Sequence, residues 1–166
     1  MTLRLSKHLR TLVGALALAA ALPSLAATKL TIAVVSLDGD PRHAPRRMEK
    51  AYPGHPTGRA IDGVTLAAED SAFELDAAGI ALEVKDVVLP NAAGLNKALA
   101  ELKAARVQHV VADLPLAELR ALVQAAPAAL GGAIVFNVAL DDDSLRADQC
   151  AAHLLHTLPS AAMRAD

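Results

Sequence analysis

The feature that most constrains this chain is the run at residues 30–37, Leu-Thr-Ile-Ala-Val-Val-Ser-Leu, apolar almost throughout and β-branched at its centre. It is too short for a helix and lacks polar alternation, which predicts a strand buried on both faces, as in a parallel sheet covered by helices. Segments of the same kind recur at 81–88, 108–112 and 133–137, at helix-sized intervals. Strand and helix alternate three times before the fourth strand, and that pattern calls for right-handed crossovers and a three-layer parallel sheet sandwich of the α/β class. In such a fold the loops at the carboxyl edge of the sheet are where a ligand is expected.

The connections are read from their punctuation. Residues 38–57 hold Pro41, Pro45, Pro53 and Pro56 together with Arg42, Arg46, Arg47 and Lys50, a composition that resists regular packing and predicts a long surface loop. His43 and His55 lie in it without a carboxylate or thiol at fixed ligand spacing, so a solvated basic loop is favoured over a metal site. Thr57 is the expected N-cap of a helix over 58–78 that ends at Gly79, with Ile61, Val64, Ala68, Ala72 and Leu75 on its apolar side. Asn91 is the expected cap of a helix reaching Arg106. Asp113 is the expected cap of a third helix, which Pro127 and Gly131-Gly132 end. Asp141-Asp142-Asp143 reads as a turn or cap, since the alternating acidic loop of a calcium site is missing, and 154–157 as a short strand.

Residues 1–27 divide into a cationic start with Arg4, Lys7 and Arg10, an apolar Leu/Ala stretch over 12–22, and small residues around Ala26 and Ala27. That three-part pattern predicts a cleaved secretory signal peptide and a periplasmic destination for residues 28–166. The segment after it carries 13 Lys and Arg against 18 Asp and Glu, a formal net charge of −5, and the only aromatic residues are Tyr52, Phe73 and Phe136. An acidic domain with so few stacking surfaces excludes the usual nucleic-acid binders and large planar cofactors. Cys150 is the sole cysteine, which rules out an internal disulfide and favours a buried small hydrophobe.

The sequence carries little that resembles a catalytic motif. Gly39 stands alone among Asp38, Asp40 and Pro41 after the first strand, where a dinucleotide site needs a Gly-rich turn. Neither a P-loop nor a Gly-x-Ser-x-Gly elbow occurs. Ser160 with His153 and His156 gives a faint hydrolase signal, for which structural histidines are the more economical account.

The residues Gly58-Arg59-Ala60-Ile61-Asp62-Gly63, Leu66-Ala67, Glu69 and Asp76-Ala77-Ala78-Gly79, followed by Lys85-Asp86 and Val110-Val111-Ala112-Asp113, resemble the first lobe of type I periplasmic solute-binding proteins of the branched-chain amino acid class. Leu145-Arg146, Cys150 and the stretch Leu155-His156-Thr157-Leu158-Pro159-Ser160 look like the subgroup encoded beside quinone-dependent alcohol dehydrogenases. The resemblance implies a non-enzymatic receptor that passes a small polar or organic molecule to an ABC permease in the inner membrane, with no cofactor and no metal. Family members are longer, so residues 28–166 are expected to form an incomplete N-terminal lobe. The ligand wall implied is Leu37, Asp38, Asp113, Leu114, Asn137 and Ala139. Two further readings stand beside it: a small exported flavodoxin-like hydrolase using Ser160 and His156, and a partner module for periplasmic alcohol oxidation.

Overall fold

Five parallel strands in the order β2-β1-β3-β4-β5 form the centre of the computed structural model, which describes residues 27–44 and 58–165. The strands are β1 (Thr28–Leu37), β2 (Ile80–Leu89), β3 (His109–Asp113), β4 (Ile134–Asn137) and β5 (Leu154–His156). Every neighbouring pair is parallel, with Val34 opposite both Asp86 and Val111 across the central ladders. The order reverses between β1 and β3: the chain moves outward from β1 to β2, then returns across β1 to build β3, β4 and β5. Residues 1–26 of the expected 1–27 leader, together with His55 and Thr57, lie outside the described residues.

One face of the sheet carries the main core. Helices α3 (Leu95–Ala104) and α4 (Leu116–Leu130) press Leu99, Leu102, Leu119 and Leu122 against Ala33, Val35, Val110 and Val135. These side chains are almost wholly removed from water, the largest favourable contribution to a fold made so nearly of Ala, Leu and Val. On the opposite face lie α1 (Ala60–Asp70) and α2 (Ala72–Ala77), which reach β1 and β2. Their Val64, Ala68 and Leu75 are only half-buried, Ala72 is exposed, and an apolar groove of about 500 Å³ opens over Ile32, Val111, Phe136 and Val138. The expectation of strands buried on both faces therefore holds for the centre of β1, whereas Val111 and Phe136 keep part of their surface open.

Several expected boundaries move for local reasons. The helix after the basic loop starts at Ala60, where the Asp62 carboxylate accepts the Arg59 backbone N–H at 2.7 Å, and it breaks at Ser71 into α1 and α2. Gly79 closes it at φ 69°, in the left-handed region open to a residue without Cβ. Asn91 caps a 3-10 turn over Ala92–Gly94 ahead of α3.

Of the two expected stops, Gly131 closes α4 at φ 63°, but Pro127 does not interrupt it, and the helix runs through to Leu130. Proline cannot donate to the carbonyl four residues back. The carbonyl released is that of Val123, and His153 Nε2 donates to it at 2.8 Å, replacing the lost helical bond. His153 is thus a structural donor whose reach from the segment before β5 makes an interior proline tolerable. Cys150 is exposed, contrary to the expectation of a buried thiol, since it sits in the irregular turn between Asp143–Arg146 and β5, outside the sheet.

Candidate functional site

At the carboxyl ends of β1 and β3, where the strand order reverses, five charged or titratable side chains converge. Asp113, the last residue of β3, is 3 % exposed. Its Oδ1 accepts from His43 Nε2 at 3.0 Å and from Arg42 Nη2 at 3.4 Å, while Arg59 Nε stands 3.7 Å from Oδ2. Arg42 also grips buried Asp40, donating from Nε at 3.0 Å and Nη2 at 2.5 Å to Oδ2, and from its backbone N–H to Oδ1 at 2.9 Å. Asp40 caps the 3-10 turn Pro41–His43, and this turn aims both basic side chains back over the sheet.

The electrostatics follow from that packing. Burial alone would raise the Asp40 carboxyl, but its hydrogen bonds to the Arg42 side chain and backbone, with the charges of Arg42 and His43, hold it below the ordinary carboxylate value. A group depressed in the folded state contributes stability above its unfolded value, near 3.8, and loses it as pH falls through the folded one. Acid titration monitored by circular dichroism is therefore expected to show a stability loss below about pH 4 that is shallower in Asp40→Asn.

The neighbouring wall is organised by Asn137 at the end of β4, which is wholly buried. Its Oδ1 accepts the backbone N–H of Ala139 at 3.2 Å and of Leu140 at 3.0 Å, and its Nδ2 donates to the Leu140 carbonyl at 2.6 Å. Those obligate donors and acceptor fix the amide orientation, so His156 Nδ1, 3.1 Å from Nδ2, is an acceptor and carries no proton. Burial, then the charge of Arg146, lower the His156 pKa, against a smaller opposing hydrogen bond to the Leu145 backbone.

Leu37 and Asp38 lie at the end of β1, with Asp38 exposed, and Ala139 is half-buried in the loop that Asn137 secures. Leu114 is fully buried in the core, directed away from the rim. Asp113 does not cap α4, whose N-cap is Pro115; its carboxylate is turned instead to Arg42 and His43.

Ser160 is buried and its Oγ accepts the Met163 backbone N–H, while His156 is committed to Asn137. The two groups of the hydrolase reading are thus each engaged elsewhere. Among the described residues no three His, Cys, Asp or Glu side chains gather as a metal site would require. Searches among known protein families, curated proteins and solved structures found no match.

Sequence reasoning passed over Arg42, His43 and Arg59, which it assigned to a solvated basic loop and a helix start. The available signal was their position: basic residues at both mouths of the 38–59 connection, opposite a strand that ends in Asp.

Proposed function

We propose that the chain is an exported solute-binding protein, the receptor component of an ABC importer, which holds a small polar or organic molecule without chemistry. The observation that supports this reading best is the convergence of Arg42, His43 and Arg59 on buried Asp113 at the β1/β3 reversal. Open α/β sheets bind ligands in the crevice outside the carboxyl ends of their strands at such a switch point. Internal pairing there gives a preorganised polar wall, which lowers the ordering cost of binding.

In this reading Asp38 and the 137–140 loop meet the solute, while Asp113 and Asn137 hold the wall in shape. A permease in the inner membrane receives the solute, and a periplasmic alcohol oxidation system is the physiological neighbour. Thermal-shift screening against a metabolite panel, followed by calorimetry, is expected to find a solute that raises Tm. Asp38→Ala should weaken that solute's binding by about tenfold while the circular dichroism spectrum stays unchanged. A correctly folded protein that no solute in the panel stabilises would overturn the proposal.

A further inference from the structure

The ten residues of β2 form one margin of the sheet and pair with β1 alone among the described strands. On the inner side Thr28 N donates to the Gly79 carbonyl and Asp38 N to that of Leu89. Backbone groups alternate sides along a strand, so the odd-numbered residues face β1, and Ile80, Leu82, Val84, Asp86 and Val88 turn their N–H and C=O groups outward. The sequence Ile-Ala-Leu-Glu-Val-Lys-Asp-Val-Val-Leu has no Pro or Gly to interrupt pairing.

We propose that this margin is an interface with a second copy of the chain, the two β2 strands pairing antiparallel about a two-fold axis at Val84. The axis then falls on an outward-facing residue, so Val84 exchanges both backbone bonds with the partner's Val84, and about ten hydrogen bonds form over residues 80–88. In this register Glu83 lies opposite the partner's Lys85, and Lys85 opposite the partner's Glu83. Glu83 already holds Lys29 of its own chain at 2.6 Å, so opposite charges alternate across the seam.

Among the outward-facing residues off the axis, Val88 meets an apolar partner, whereas Leu82 lies opposite the partner's Asp86. Val88 is 51 % exposed, an unusual state for valine in a strand, and the partner's Ile80 covers it. Moving the axis one residue either way sets Glu83 against the partner's Glu83, or Lys85 against the partner's Lys85, and like charges directly opposite are unfavourable. A lone lysine on an edge strand guards against pairing, but an acid two residues away makes the edge complementary to itself.

The test is a charge exchange read by analytical ultracentrifugation of the purified protein over a concentration series. The wild type is expected to sediment as a dimer, and Lys85→Glu and Glu83→Lys each to weaken association by about tenfold or more, since each sets like charges opposite. Mixing the two variants restores both opposite-charge pairs in a heterodimer, so the mixture should recover wild-type association although each component alone associates more weakly. That recovery also shows both variants to be folded. A wild type that stays monomeric up to 100 µM, a Lys85→Glu variant as dimeric as the wild type, or a mixture no better than its components overturns the proposal.

Discussion

Asp113→Ala is expected to destabilise the protein by about 3–5 kcal/mol, the cost of removing one member of a buried ionic cluster and leaving the others uncompensated. The side chain is 4 % exposed, and its Oδ1 is the shared acceptor of Arg42 and His43. Without it, His43 Nε2 loses its partner and Arg42 keeps only Asp40. Arg59→Gln supplies the contrast. The Arg59 side chain is 36 % exposed and reaches Asp113 only at 3.7 Å, so its loss should cost no more than about 1 kcal/mol. Urea unfolding of both variants checks the pair, and an Asp113→Ala midpoint no lower than that of Arg59→Gln would show that the cluster contributes little to stability. Asp113→Asn should fall between them, because an amide oxygen still accepts from His43 but offers no countercharge to arginine.

The same cluster shows where sequence reading succeeds and where it stops. The sheet was legible because a parallel strand buried between layers must be apolar at nearly every position, and 30–37, 81–88, 108–112 and 133–137 all lie within a residue or two of β1 to β4. Helix punctuation was legible where it depends on one residue, as at Gly79. It failed at Pro127, since the repair comes from His153, and no local pattern reports a donor arriving from 30 positions beyond the carbonyl it satisfies. The basic cluster escaped for the same reason. Arg42 and Asp113 are 71 residues apart, and only the return of the chain across β1 brings them together. Charge in a proline-rich loop reads as solvation until the topology supplies a buried acid for it. The open face over Phe136 was likewise invisible, because an apolar strand residue has the same sequence signature whether a helix covers it or not.

Asn137 gives the second large effect, and its sign with pH separates the hydrogen-bonding account from simple loss of packing. Asn137→Ala removes the partner of two backbone N–H groups, one carbonyl and the His156 ring nitrogen at a fully buried position, and is expected to cost about 2–4 kcal/mol. In the wild type the His156 pKa lies below its ordinary value of 6.5. The unfolded chain therefore takes up the proton first, and this contribution to stability is full above that value and lost as pH falls through the folded one. Asn137→Asp replaces the Nδ2 donor with an acceptor. The new oxygen repels the Leu140 carbonyl and accepts a hydrogen bond from His156 only when Nδ1 is protonated, which raises the folded His156 pKa above 6.5. Stability gained from His156 in that variant is present below 6.5 and lost as pH rises through the raised value. Between about pH 5 and 7 wild-type stability should thus rise with pH and that of Asn137→Asp should fall, a reversal readable in chemical unfolding at three pH values. Parallel slopes in the two proteins would mean that His156 does not take its protonation state from Asn137.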